Sequence, residues 1–324
     1  MRHAVRTLTL IAILASSFIF TGCAFVNVNI PTGKGPLEER TVEGKGKQKI
    51  LLIDISGVIS DKERRRGLAG KQPSLPARIR EELKKAKDDP LVAGVVLRID
   101  SPGGTVAASD TIHHEVQDFR RRSKKPVYAS ITGLGTSGGY YVACAADKIH
   151  VHPAAITGSI GVIAMQLNIE GLMEKLGIQD KTYTTGKNKA LFTPVRADTP
   201  EEKEIIQALL NSFHERFVDI VFSARKDRLS RSAVASLADG RPYTAKQALD
   251  NGLIDAVAYM GETIATMKLD LGLKEARVIR YVRPGGQGGS IYSIKDSSVN
   301  MVSVDGGFLI DMQGPEFMYI WPGF

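Results

Sequence analysis

The chain has little cysteine, few aromatic residues and a single tryptophan: two Cys, 6% Phe, Trp and Tyr together, and one Trp in 324 residues. Two cysteines at positions 23 and 144 cannot make a disulfide framework or a thiolate zinc site. Internal repeats, coiled-coil heptads and nucleic-acid-binding motifs are also missing, which excludes solenoids, zippers and the common DNA and RNA readers. Neither sign of charge dominates. The formal net charge is +8, and the local basic clusters at residues 62–66 and 120–125 read as solvated faces, with anionic lipid headgroups as the functional alternative. What is present is the material of a folded domain, 43% apolar and 24% charged residues, enough to bury a full core.

The apolar stretch at residues 8–20 follows Arg2 and Arg6 and is too short for a comfortable membrane span. It ends in small residues before Cys23 and reads as a secretory signal over residues 1–22. The end of that stretch resembles a bacterial lipobox, with Phe20 where Leu is usual, so Cys23 is the expected lipidation site. The chain is therefore expected to be exported and membrane-associated, facing the periplasm or another extracytoplasmic side. Residues 23–48, rich in Gly, Lys, Glu and Pro, read as a tether. Cys144, among Val142, Ala143 and Ala145, is expected to be a buried structural thiol.

From residue 49 to 283 the sequence alternates between two periods. Apolar runs at 50–55, 95–99, 127–131 and 149–151 predict buried strands, and the spacing of Leu75, Ile79, Leu83 and Ala86, and of Val106, Ile112, Val116 and Phe119, predicts helices between them. That alternation implies an α/β fold with a mainly parallel sheet. Residues 179–184 are expected to form another strand. Thr199-Pro200-Glu201-Glu202 is a capping box with proline at the first helical position, opening a long helix whose Ile206, Leu209, Phe213, Phe217 and Ile220 form one apolar stripe. That stripe reads as core or subunit interface. After residue 283 the composition turns glycine-rich and then ends in Phe317-Met318-Tyr319-Ile320-Trp321, a tail expected outside the core and suited to add as a strand beside a substrate groove.

Gly135-Thr136-Ser137-Gly138-Gly139 places a serine at a glycine-flanked strand-to-helix turn, where a nucleophile would be exposed and helix N–H groups would point back at it. An α/β-hydrolase elbow needs a downstream acid and a late-loop histidine. His150 and His152 follow too soon on one strand, and His214 sits inside the long helix. His150 and His152 could in principle share a metal, but a third ligand is not apparent. A lysine can replace histidine if burial strips its ammonium of water and frees the amine to take a proton. Lys187 and Lys189 in Gly186-Lys187-Asn188-Lys189 are the candidates.

Asp100-Ser101-Pro102-Gly103-Gly104, Thr136-Ser137-Gly138-Gly139-Tyr140-Tyr141, Thr157-Gly158-Ser159-Ile160-Gly161, Gly186-Lys187-Asn188-Lys189 and Gly240-Arg241-Pro242-Tyr243-Thr244 occur in that order. Together they resemble the signal peptide peptidase A family of serine-lysine proteases in its short single-domain form. The resemblance implies a Clp protease/crotonase-like fold, a spiral of β-β-α units whose subunits assemble into ring-shaped homo-oligomers. It implies Ser137 as nucleophile, Lys189 as general base with Lys187 a surface neighbour, and Ser159 as the serine that orients the lysine. The backbone N–H groups of Gly103, Gly104 and Gly138 would form the oxyanion hole. It implies no metal, cofactor or nucleic acid, and peptide substrates of the kind left by cleaved signal peptides and other extended apolar segments. Two other classes use the same framework: a ring-forming scaffold that binds peptides or membrane proteins with little catalysis, and a crotonase-like acyl-CoA enzyme, which expected export away from CoA opposes.

Overall fold

The computed structural model describes residues 35–65, 71–284, 289–293 and 317–322. The expected signal segment, Cys23 and most of the glycine-rich stretch after Pro284 lie outside the described residues. In chain order the elements are β1 (Glu38–Glu43), β2 (Lys49–Ser56), β3 (Arg64–Arg65), β4 (Lys71–Gln72), α1 (Leu75–Asp88), β5 (Val92–Ser101), β6 (Gly103–Thr105), α2 (Val106–Ser123), β7 (Val127–Thr136) and α3 (Gly138–Ala143). They continue with β8 (Lys148–Val151), β9 (Ile156–Gly158), β10 (Ile163–Ala164), α4 (Glu170–Lys175), α5 (Pro200–Arg225) and α6 (Arg231–Leu237). The last are β11 (Pro242–Thr244), α7 (Ala245–Asp250), β12 (Ala256–Val257), α8 (Met260–Asp270), β13 (Arg277–Val282) and β14 (Phe317–Ile320).

The main sheet runs β1-β13-β2-β5-β7-β8-β12, with β9 beside the far half of β7 and β11 beside β9. All its pairings are parallel except β1 with β13 and β9 with β11. Parallel strands covered on both faces must be apolar on both faces, and β2 is, with Ile50 through Ile55 buried throughout. Leu51, Ile53, Leu97 and Ile99 pack with α1 and α2 through Ile79, Leu83, Ile112 and Val116. On the other face Ile50, Leu52, Val96 and Tyr128 meet Ile264 and Met267 of α8. The α/β class and mainly parallel sheet expected from the alternation are those of the structure, and β5–β6–α2 is a strand–strand–helix unit.

The helix signals act as predicted. In the capping box of α5, Glu202 N–H donates to Thr199 Oγ1 at 3.2 Å and Thr199 N–H to Glu202 Oε2 at 2.8 Å. Arg196 beside Glu202 holds its carboxyl down at about 2.

Three expectations are corrected. Glu38–Glu43, within the stretch read as tether, forms β1 on the edge of the main sheet against β13. Residues 179–184 form no strand: the Asp180 carboxylate takes both the N–H and the hydroxyl of Thr182, at 3.0 and 2.6 Å, and a local turn of this kind competes with a ladder. The tail also enters the core, since β14 lies between β10 and β6 in a second, three-stranded sheet with Tyr319 fully buried.

Beneath the C-terminal ends of the main strands lies a buried charge cluster. Arg98 Nε is 2.6 Å from Asp54 Oδ1, and Arg280 Nη2 donates to Asp54 Oδ2, all three residues being at most 3% exposed. Desolvation depresses the Arg280 pKa against the pull of Asp54. Because removing one partner strands buried charge, Asp54→Asn is expected to cost about 3 kcal/mol, read as a lower urea midpoint at unchanged m-value.

Candidate active site

The site is assembled by register. Ser101 of β5 pairs with Gly135 of β7, Gly135 with Thr157 of β9, and Thr136 with Gly158. One residue further along each of the last two strands stand Ser137 and Ser159. Ser137 N–H donates to the Gly158 carbonyl at 2.7 Å, and Ser159 N–H to the Arg241 carbonyl at 2.9 Å. Both serines are buried and both carry positive φ, 52° and 50°. Non-glycine residues in that region store strain of order 1–3 kcal/mol and are found mostly at functional sites. Tyr243 of β11 packs its ring over Gly158 and donates its hydroxyl to Leu237 O at 2.9 Å, so it holds β9 in place.

Ser137 is the residue before α3, and its carbonyl accepts the Tyr141 N–H at 2.9 Å, which closes the turn expected from the sequence. Opposite it, Ser101 Oγ donates to Gly57 O at 2.6 Å and accepts the Gly103 N–H at 3.1 Å, pinning the glycine loop. Gly103 has φ of 105°, and a methyl group added there would lie 2.8 Å from the Gly138 nitrogen. One added at Gly138 would lie 3.1 Å from the Gly104 nitrogen. The three glycines named as oxyanion-hole candidates therefore converge beside Ser137, with the Ser109 hydroxyl as the side-chain group closest to Gly138.

The lysines are elsewhere. Lys187 is exposed and its Nζ pairs with Glu201 Oε2 at 2.8 Å, the expected surface neighbour. Lys189 is exposed too, and its ammonium makes no hydrogen bond or ion pair among the described residues. Its segment also exposes Leu167, Leu172, Leu176, Ile178 and Tyr183. The structure thus brings together Ser137, Ser159, Gly103, Gly104 and Gly138 and leaves Lys189 apart on an apolar, uncovered surface.

Histidine does not take its place. His150 Nδ1 lies 3.1 Å from Thr263 Oγ1, His152 Nδ1 accepts the Ala154 N–H at 3.1 Å, and His214 Nε2 lies 2.7 Å from Ala238 O. Groups of three or more His, Cys, Asp or Glu able to hold a metal are not found among the described residues. Cys144 is buried and its thiol is pushed up to about 12 by desolvation, as befits a structural thiol.

Along the open side of the glycine loop runs β14. It pairs antiparallel with β6, Tyr319 opposite Gly104, and Trp321 N–H donates to Pro102 O at 2.9 Å. A peptide strand from the chain's own tail is thereby laid across the converging glycines, as an extended substrate would be.

Peptidase family S49 matches residues 119–274. A putative signal peptide peptidase SppA of Enterococcus faecium is 36% identical over 244 residues, covering 75% of this chain and 70% of that protein. The chain belongs to the SppA-type peptidase family S49. A chloroplastic serine protease SPPA of Arabidopsis thaliana is 31% identical over 78% of this chain, which spans 37% of that longer protein. Protease 4 of Haemophilus influenzae is 33% identical over 67% of this chain and 34% of its own length. Among solved structures, a membrane-bound stomatin-specific protease aligns with 68% of this chain and 85% of its own at 16% identity, with a TM-score of 0.42.

For this S49 peptidase, sequence reasoning found the serines and glycines but missed Ser101 as the loop's clasp and the aromatic surroundings of the tail. Phe213 and Phe217 were legible as a helix stripe, yet nothing in their spacing distinguishes a core stripe from a pocket wall. Because the tail covers the glycine loop, ending the chain before Phe317 is expected to lower the apparent KM for added peptides by about tenfold with little change in kcat. Steady-state kinetics of the two full assemblies would check this; unchanged KM would place the tail outside the substrate path.

Proposed function

We propose that the chain is a membrane-tethered serine endopeptidase that uses Ser137 and Lys189 to hydrolyse signal-peptide remnants and other extended apolar peptides. The observation that carries this reading is the convergence of Ser137 with the N–H groups of Gly104 and Gly138 beneath a bound peptide strand. Attack of Ser137 Oγ on a carbonyl carbon forms the C–O bond while the hydroxyl proton passes to a neutral amine. The developing oxyanion is met by backbone N–H donors, each worth roughly 3 kcal/mol in sites of this kind. Collapse expels the peptide amine, which takes the proton, and water then cleaves the acyl-serine ester by the same route.

A lysine serves as general base only where its amine is withdrawn from water. Exposure of Lys189 on an apolar segment therefore favours a ring in which that segment covers a neighbouring subunit, bringing Lys189 to the neighbour's Ser137 and Ser159. Such an arrangement explains why one chain holds nucleophile and lysine apart. Tethering through a lipid on Cys23, with the domain on the extracytoplasmic side, fits apolar substrates released at a bilayer. Among the described residues no helix is long and apolar enough to cross a membrane.

Ser137→Ala and Lys189→Ala are each expected to abolish peptide turnover while the assembly stays intact, and Lys187→Ala to keep most of it. Subunit exchange between the two inactive variants is expected to restore up to about a quarter of wild-type activity, because mixed neighbours recreate some complete pairs. Mass spectrometry of a digested apolar peptide gives the readout. Activity in Lys189→Ala with loss in Lys187→Ala would assign the base to the other lysine, and failure of exchange to restore turnover would return the dyad to one chain.

A further inference from the structure

Helix α2 follows β6 without a linker, so its first turns ride on the strand that carries Gly103 and Gly104. Thr105 caps it, its hydroxyl accepting the Ala108 N–H at 3.3 Å, and the next residue along is Ser109, fully buried. A serine or threonine inside a helix has a ready acceptor in the carbonyl four residues back. Thr111, Ser223, Ser236 and Thr266 use it, donating to that carbonyl at 2.8, 2.7, 3.0 and 2.9 Å. Ser109 does not, and its Oγ has no hydrogen-bond partner among the described residues.

The direction of that hydroxyl is read from Gly138. A methyl group added there would lie 2.5 Å from Ser109 Oγ, 3.0 Å from the Tyr319 carbonyl oxygen and 3.1 Å from the Gly104 nitrogen. One small volume, beside the α-carbon that follows the nucleophile, is thus bounded by a hydroxyl, an amide donor and the peptide carbonyl that β14 lays against them. Leaving a buried hydroxyl unpaired costs about 1–3 kcal/mol, and such a group in a native fold calls for a task. The N-terminal turn of α2, a helix of 18 residues, brings the positive end of its dipole to the same side of the loop.

We propose that Ser109 is a side-chain member of the oxyanion hole, a role that rests on the peptidase reading above and adds a catalytic residue to it. Its hydroxyl donates to the oxygen that turns negative when Ser137 attacks, beside the N–H groups of Gly104 and Gly138. A donor without a ground-state partner gains its bond only as charge develops, which is the condition for raising kcat instead of merely tightening substrate binding. Glycine at 138 then has a second use, since any side chain there would fill the space through which the hydroxyl reaches.

The test compares full-length Ser109→Ala and Ser109→Cys with wild type. Alanine removes the hydroxyl, and cysteine keeps its bulk while leaving a weak donor. Both are expected to lower kcat for an apolar peptide by about 30-fold with KM within about twofold of wild type. The rate at which a fluorophosphonate labels Ser137 should fall in step, because its phosphoryl oxygen takes the place of the oxyanion. The melting temperature of Ser109→Ala should be unchanged or raised, since the substitution removes an unpaired buried hydroxyl. A packing role would instead lower the melting temperature and be rescued by cysteine. Wild-type turnover and labelling in Ser109→Ala, or a loss that Ser109→Cys restores, overturn the assignment while leaving the peptidase reading standing. Wild-type protein that neither cuts the peptide nor takes the label overturns the peptidase reading and the role of Ser109 with it.

Discussion

The parallel ladder joining β5, β7 and β9 is the constraint on which the site depends. Its register sets Ser101, Gly135 and Thr157 at one level and Thr136 opposite Gly158, so that two residues beyond Gly135 and Thr157 come Ser137 and Ser159. A one-residue slip would turn every side chain to the opposite face, putting Ser130 or Thr132 where Ile131 now packs and Arg98 or Asp100 where Ile99 does. Both neighbours of the slip are prevented by the same means: β2, β5 and β7 are apolar on both faces and fit two different helix layers. The positive φ at Ser137 and Ser159 is affordable because the ladder on one side and Tyr243 on the other leave the backbone nowhere to relax.

Above that ladder, the proposed chemistry would fall mainly to backbone. Ser101 fixes Gly103, Asp100 Oδ1 accepts the Leu134 N–H at 2.9 Å, and the N–H groups so aimed need no reorganisation when charge develops. The arrangement also creates the hazard of an open edge at β6, three residues long and rich in glycine. Such edges invite strand addition, and β14 supplies it. On the proposed reading, substrate would add to the same edge that β14 occupies.

Much of this was legible in the sequence, for identifiable reasons. The runs at 50–55, 95–99 and 127–131 are mostly apolar and buried, which short apolar runs between helical periods report well. The turn at Ser137 was legible because glycines on both sides of a serine have few structural uses. Residues 179–184 misled because Thr182 and Tyr183 favour strands, whereas whether a ladder is available depends on tertiary context. The tether boundary misled for the converse reason, since Glu38–Glu43 is polar and gains its order as an edge strand on β13. The ring contacts of the tail were illegible because Tyr319 meets Tyr141 and Phe217, and Phe317 meets Phe192 and Phe213, only through the fold.

Lys189 marks the limit of a different kind. Motif order can name a lysine, but whether its amine can act as a base is set by surroundings that sequence neighbours do not report. The exposed Leu172, Leu176 and Ile178 beside it are the kind of surface that a second subunit would cover. Covering them would desolvate the same segment that carries the lysine, so assembly and activation of the base would be one event. A chain that carried both a strained nucleophile and a free amine in contact would be able to cut peptides as soon as it folded. On the proposed reading, separating them would make the buried, water-poor environment a product of association.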